Sequence, residues 1–373
     1  MTAVSRRALR NFDWLIFGLV LFMSISGIMT IYSATRVTGT GEMPDFYLKQ
    51  ISWLVIAIIT LLVCTSFDYS WLSRLSLPLY ITGIISLVIV LVMGRSGMGA
   101  KRWLQLGPLN FQPSEFFRLV FIIAFAFHLS RLQGRLHLGN IIKAAILFLI
   151  IPVALIIKEP DLGSALILIF VFFITLLIRG VRKKAVIILI VIGVISVPFL
   201  ERIVWSQLKD YQKNRLVAFV KPQIDPSGIG YQIEQSKITI GSGRFSGKGY
   251  LKGTQGPFRF LPEKHTDFIF SIFAEEWGFL GCFLLLAAYL VLLLRGIDTA
   301  LKAKDMFGKI LSFSIVIMFF TYFVINVGMA LGMMPVVGVP LPFMSYGGTA
   351  LISNFAAAGI LINVRMRRFK LFY

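Results

Sequence analysis

The sequence predicts an all-α integral membrane protein of ten transmembrane helices, with a long extracytoplasmic loop between the seventh and eighth. Three observations predict it. Of 373 residues, 57% are hydrophobic and only 14% are charged, whereas soluble domains carry about 25% charged residues. Uncharged stretches such as Trp14–Ala34 and Ile51–Phe67 approach the ~20 residues that cross a ~30 Å hydrocarbon core. Lys and Arg concentrate on alternate sides of these stretches, as the positive-inside rule requires of a polytopic chain.

The expected helices run over 12–34, 48–67, 75–94, 113–131, 140–157, 161–179, 184–201, 268–295, 307–332 and 345–364, in a single membrane domain spanning residues 1–373. Arg6, Arg7 and Arg10 precede the first span. That span is too long for a signal-peptide core and no small-residue cleavage site follows it, so it reads as a retained helix. An even helix count puts both termini on one side. With the termini in the cytoplasm, 19 Lys and Arg fall on cytoplasmic segments and 7 on short outside loops. The remaining 11 lie in the outside loop 202–267, whose length exempts it from the charge rule. A 66-residue connection is far longer than ordinary ones and points to function. Within it, Tyr231–Ile240 has the apolar spacing of an amphipathic helix lying against the membrane surface.

The net charge of +20 therefore reports topology and membrane lipids, not nucleic acid. Cys64 and Cys282 both lie in apolar spans and suggest neither a disulfide framework nor a metal site. Gly241-Ser-Gly-Arg-Phe-Ser-Gly-Lys-Gly departs from a Walker A loop at Ser242 and at Gly249. It reads as a flexible basic loop.

Helix parity places Glu115, Asp161 and Asp267 at outward-facing helix N-termini, with Arg118, Lys158 and His265 at the same depth. Acids in a first turn stabilise any helix as caps, and Pro113 and Pro160 are ordinary helix starters. Three acids at one level beside a basic loop also suit a cationic site for an anionic head group, with a carboxylate able to activate a hydroxyl. Glu275-Glu276 lie about 12 Å along the eighth helix from Asp267. Adjacent residues cannot share a face, so at least one must turn into the bundle, towards a pocket or an ion-pair partner.

Several strings resemble the SEDS family (shape, elongation, division, sporulation). They are Phe111-Gln-Pro-Ser-Glu, Glu159-Pro-Asp-Leu-Gly, Gln235-Ser-Lys-Ile-Thr-Ile-Gly-Ser-Gly, Gly253-Thr-Gln, Phe260-Leu-Pro-Glu-Lys-His-Thr-Asp-Phe-Ile-Phe, Ala274-Glu-Glu-Trp-Gly and Pro340-Leu-Pro-Phe-Met-Ser-Tyr-Gly-Gly. They cover nearly the whole chain in the family's order. The Ser-Lys-Ile and Gly-Thr-Gln elements and the short termini are closer to the RodA elongation branch than to the FtsW division branch.

The resemblance implies a glycosyltransferase that polymerises lipid II into β-1,4 glycan strands during cell elongation. It would act at the outer face of the cytoplasmic membrane, in complex with a class B penicillin-binding protein. It implies that Asp267 is the general base, with undecaprenyl pyrophosphate as leaving group. Glu115, Asp161 and Lys237 match polar positions of the family's central cavity. Arg102 and Arg215 match basic positions suited to pyrophosphate, and His265 and Arg118 accompany them. Family members often carry Lys where this chain has Arg118, so a planar fork replaces a point charge. A divalent cation (Mg or Mn) held by carboxylates would assist the leaving group, and no residue fixes one. Two other classes accommodate the same residues: a lipid II flippase, and a non-catalytic scaffold for a penicillin-binding protein. The eighth and ninth helices, with Gly328, Ala330 and Gly332, are expected to form a packing or partner surface.

Overall fold

The computed structural model describes residues 11–36, 45–97, 100–106, 109–182, 185, 187–188, 213, 215, 217, 219, 228–254 and 265–369. Among them, nine helices are long and apolar enough to cross a membrane. The expected span 184–201 lies outside the described residues apart from helical positions 185, 187 and 188. The chain forms two compact units, residues 72–216 and residues 1–71 with 217–373.

The unit 72–216 contains most of α3 (Ser70–Met93), then β1 (Arg95–Gly97), β2 (Ala100–Leu106) and β3 (Leu109–Phe111), and the helices α4 (Pro113–Arg131), α5 (Leu138–Lys158) and α6 (Leu162–Arg179). The strands form an antiparallel sheet in the order β1-β2-β3. The sequence reading assigned no strand there, although Gly-Pro is a turn-type dipeptide and occurs at 107–108. Aromatic packing joins the helices, with Phe125 stacked on Phe172 at 4.9 Å and Phe148 lying 5.5 Å from Phe125. Inside α5, Ile146–Ile150 forms a π-helical turn just ahead of Pro152. Proline has no N–H to offer the preceding turn, and the Tyr80 hydroxyl donates instead to the Leu147 carbonyl.

The second unit holds α1 (Trp14–Thr35), α2 (Phe46–Ser66), α7 (Ile229–Ser242), α8 (Ile269–Leu301), α9 (Met306–Ala330) and α10 (Gly348–Met366). A charged cluster ties one set of helix ends. Asp13 caps α1 through the amides of Leu15 and Ile16. It also accepts from Arg295 of α8 at 2.8 Å and from buried Arg365 of α10 at 2.7 Å. Asp305 caps α9 through the Gly308 amide at 2.7 Å and accepts from the Tyr69 hydroxyl at 2.7 Å. Breaking such a buried pair is costly, because it strands the remaining charge.

The helix α8 is interrupted. Its 33 residues would reach about 50 Å if straight, well beyond a ~30 Å hydrocarbon core. At Gly278 the backbone takes φ 64°, ψ −163°. The break exposes amides on one side and carbonyls on the other, and the glycine-rich segment after α7 takes up both. The Phe279 and Leu280 amides donate to the Arg244 and Phe245 carbonyls at 2.9 and 3.0 Å, and the Lys248 and Gly249 amides donate to the Glu275 and Glu276 carbonyls at 3.0 Å each. The side chains complete the joint. Glu275 accepts from Lys248 Nζ at 2.6 Å and from the Thr254 amide and hydroxyl at 2.9 Å each. Glu276 accepts from the Leu251 amide at 3.2 Å and from the Ser33 hydroxyl.

Two expectations are revised by this packing, the flexible basic loop and the surface-lying helix over 231–240. The segment 241–254 is built into a helix break and is not a free basic loop, because irregular backbone at membrane depth needs protein partners. Both glutamates turn inward. The small residues after the middle of α9 serve internal packing: Gly328 faces Met334, and Gly332 lies under the Lys237 stem. An exposed apolar flank lies on α8, through Phe279, Leu280, Phe283 and Leu284. The helix α7 packs against α8 and α9, where a surface-lying helix was expected.

A side chain at position 278 would meet the Gly247 amide, in a backbone region that is essentially glycine-only and costs roughly 1–3 kcal/mol for other residues. Gly278→Ala should therefore lower the melting temperature of the detergent-solubilised chain by several degrees. Gly241→Ala, which meets nothing within 4 Å, should leave it unchanged or slightly raised. Equal melting temperatures for the two variants would contradict the account of the break.

Candidate active site

In the unit 72–216, the N-terminal ends of α4 and α6 are stitched together by side chains. Asp161 caps α6, its Oδ1 accepting from the Ser164 amide at 3.2 Å. Its Oδ2 accepts from the Ser164 hydroxyl, from the Ser114 hydroxyl at 3.0 Å and from Gln112 Nε2 at 3.4 Å. The Gln112-Pro-Ser-Glu and Glu159-Pro-Asp strings thus meet directly. Glu115 pairs with Arg118 one turn further along α4, and Arg118 Nε donates to the Ser114 carbonyl at 3.2 Å. Glu115, Arg118 and Asp161 are only 5%, 2% and 3% exposed. From β2, the Arg102 guanidinium donates to the Glu159 carbonyl at 3.3 Å and to the Pro160 carbonyl. It holds the main chain of the turn that leads into α6.

Two neighbouring carboxyl groups in this turn are driven apart. Burial opposes ionisation of Asp161, but the Arg102 and Arg118 charges and the Ser164 bonds outweigh it and hold its carboxyl below the usual range. Glu159 is fully buried, and neither of its carboxyl oxygens has a hydrogen-bond partner. Burial, reinforced by the Asp161 charge and only partly offset by Arg102, pushes it up to about 9. At neutral pH the turn carries one charged and one neutral acid. Two helix N-termini and two arginines at this end offset the charges of its own acids, Glu115 and Asp161.

In the other unit, Asp267 stands half-buried in the turn 265–268 just ahead of α8. The carbonyls of three consecutive residues are captured. The Tyr346 amide donates to His265 at 2.9 Å, the Ser345 hydroxyl to Thr266 at 2.7 Å, and Asn326 Nδ2 to Asp267 at 3.0 Å. Gln50 of α2 braces the donor segment, donating to the Ser345 carbonyl and accepting from the Gly347 amide, each at 3.2 Å. The His265 ring stacks on Phe46 at 4.7 Å and lies 5.7 Å from Tyr346. Ser236 of α7 bonds the Ser271 hydroxyl at 2.7 Å and the Ala330 carbonyl at 2.6 Å. Ser271 is one helical turn beyond Asp267, so this contact places the exposed Lys237 in the same unit as Asp267.

The structure thus joins Arg102, Glu115, Arg118 and Asp161 in one network, and Lys237, His265 and Asp267 in one unit. Arg215 is described as a helical, half-buried position. Sequence reasoning missed Ser114, Glu159, Gln50, Asn326 and Ser345. The signal existed, because Gln50 and Asn326 are polar residues within apolar spans and therefore need internal partners. Among the described residues no group of three His, Cys, Asp or Glu side chains is placed to hold a metal ion.

Comparison with known proteins gives a consistent result. The model of the FtsW/RodA/SpoVE family, described as cell cycle protein, matches residues 13–370. The chain is 36% identical to the peptidoglycan glycosyltransferase MrdB of Escherichia coli K12, over 91% of each chain. It is 35% identical to the probable peptidoglycan glycosyltransferase FtsW of Trichlorobacter lovleyi, over 95% of this chain and 93% of that protein. A solved structure concerning coordination of polymerization and crosslinking by a peptidoglycan synthase complex superposes with a TM-score of 0.80 at 31% identity, covering 96% of this chain and 99% of the other.

The raised Glu159 carboxyl has a consequence for stability. Its folded value of about 9 stands above its ordinary value of 4.5, so the folded state keeps a proton that the unfolded state releases. Stability contributed by this group is present at low pH and is lost as pH rises through that interval. Melting curves of Glu159→Gln should therefore fall less steeply than those of the parent chain between pH values of about 5 and 9. Parallel profiles would show that Glu159 does not titrate in this way.

Proposed function

The chain belongs to the FtsW/RodA/SpoVE cell cycle protein family, the SEDS family, and is a multi-pass membrane peptidoglycan glycosyltransferase, and we propose that it polymerises lipid II with Asp267 as general base. The observation that carries the assignment is the position of Asp267. It is half-buried at the mouth of α8, in a turn whose main chain is fixed at three successive carbonyls. Asp161 is the competing acid, and its charge is already committed to Ser114, Ser164 and two arginines. A carboxylate held below its usual range is a poor proton acceptor.

In this reading Asp267 removes the proton from the acceptor sugar's 4-hydroxyl. The oxygen attacks the anomeric carbon of the donor. A new carbon–oxygen bond forms as the bond to the pyrophosphate oxygen breaks, and undecaprenyl pyrophosphate leaves with the electron pair. Inversion at an α-linked donor gives the β-1,4 linkage. Lys237, exposed beside α9, is suited to touch the pyrophosphate. Arg215 and His265 are secondary candidates. Glu115, Arg118 and Arg102 are engaged with one another's segments and act by shaping the α4–α6 end and its charge.

We assign the reaction to the outer face of the cytoplasmic membrane, with both termini cytoplasmic, on the Lys and Arg distribution. We assign the elongation role on the Ser236-Lys-Ile and Gly253-Thr-Gln elements. A class B penicillin-binding protein is the proposed partner, supported by the likeness to a complex described as coordinating polymerization with crosslinking.

Polymerisation of lipid II by the purified chain, followed on gels that separate glycan strands, tests the base. Asp267→Asn should lose at least about a hundredfold in rate, the usual range for a general base, at unchanged expression and melting temperature. Full activity in that variant would sink the assignment.

A further inference from the structure

Asn326 and Ser345 are buried polar residues that the reaction itself does not use. Asn326 is wholly buried in α9 and Ser345 is 5% exposed in the segment between α9 and α10. Each bridges the Asp267 turn to the 331–347 segment. Asn326 Nδ2 donates to the Asp267 carbonyl at 3.0 Å and to the Val339 carbonyl at 2.8 Å. Ser345 Oγ donates to the Thr266 carbonyl at 2.7 Å and accepts from the Leu341 amide at 2.8 Å.

The asparagine is used only as a double donor. Its Oδ1 is buried with no hydrogen-bond partner, a state that costs free energy in a low-dielectric interior. Turning the amide over would bring Oδ1 against two carbonyl oxygens, so its orientation is fixed by the pair it serves. A residue that only filled space at this point would be apolar. The hydroxyl of Ser345 is likewise engaged on both sides, and the Tyr346 amide continues the row onto the His265 carbonyl.

We propose that Asn326 and Ser345 are positioning residues for glycosyl transfer, holding the Asp267 carboxylate in place by capturing the main-chain carbonyls of Asp267 and Thr266. The proposal rests on the assignment of Asp267 as the base. These residues act on the backbone and touch no substrate, so their loss reduces turnover more than substrate affinity. A displacement of about 1 Å in a reacting group can lower rate by roughly a hundredfold.

The test compares Ser345→Thr with Ser345→Val in the full-length chain acting on lipid II. The two side chains have the same shape, and only threonine keeps the hydroxyl. The Thr variant should keep kcat within about threefold of the parent. The Val variant should lose at least about tenfold in kcat with KM shifted by less than about threefold, at a melting temperature matching the Thr variant. Asn326→Leu should behave like the Val variant. Equal kcat values for Thr and Val overturn the proposal. So does a Val variant that fails to fold where the Thr variant folds, since the hydroxyl would then be structural. Asp267→Asn is assayed in parallel. If it is inactive while Thr and Val agree, the base stands and only the positioning role falls. If it is active, the base assignment fails first.

Discussion

Backbone N–H and C=O groups cannot stay unpaired in hydrocarbon, and this constraint governs the unit built around α8. The 33-residue helix is interrupted at Gly278, and four main-chain groups are released there. Each finds a partner in the segment 244–249. That exchange dictates much of the neighbouring sequence. It demands glycine at 278, where φ is 64°, and at 247, where φ is 76° and a Cβ would strike the Glu276 carbonyl. It brings Glu275 and Glu276 inside, where Lys248, Thr254, Leu251 and Ser33 receive them. The same segment follows directly from α7, so anchoring it also sets α7 against α8 and thereby places Lys237.

Charge is handled differently at the α4–α6 junction. There the acids outnumber what two arginines can neutralise at close range, and the turn accommodates them by unequal protonation. Asp161 takes the hydrogen bonds and the field of two arginines, while Glu159, with no hydrogen bond and only Arg102 to offset its burial, keeps its proton. Desolvation alone would raise both groups. The difference comes from the Arg102 and Arg118 charges and the Ser164 hydrogen bonds acting together on Asp161, where Glu159 has only the Arg102 charge to offset its burial. Arg102 bonds the turn's carbonyls, so its position is set by the main chain while its charge still acts on the acids.

The helical membrane class and the positions of the nine described spans were legible because they depend on hydropathy. The first span was expected over 12–34 and occupies Trp14–Thr35; the ninth was expected over 307–332 and occupies Met306–Ala330. The break at Gly278 was not legible. Nothing in Ala274-Glu-Glu-Trp-Gly distinguishes a glycine that packs from one that reverses φ, since the decision is made by a segment 30 residues earlier. The outer strands β1 and β3 of the sheet were missed because three residues carry too few positions to show alternation. Asn326 and Ser345 were missed because attention to charge overlooks neutral donors, and their partners are carbonyls that no side-chain pattern reveals. Glu115 and Arg118 were placed correctly in the sequence yet turned out to face one another, which i, i+3 spacing on a helix allows.

A general base faces two demands that conflict. It must be held still, and it must be free to change charge. Asp161 shows what happens when a carboxylate is held by its own oxygens: each hydrogen bond and each arginine that fixes it also stabilises its ionised form and weakens it as a proton acceptor. The Asp267 turn is held by a different means. Tyr346, Ser345 and Asn326 bond the carbonyls at 265, 266 and 267, so this restraint is applied to the main chain. Such a restraint needs donors that carry no charge, because a lysine or arginine in their place would shift the acid it was meant to position. Serine, asparagine and a backbone amide are the groups that satisfy that requirement inside a membrane protein, and they are the groups found there.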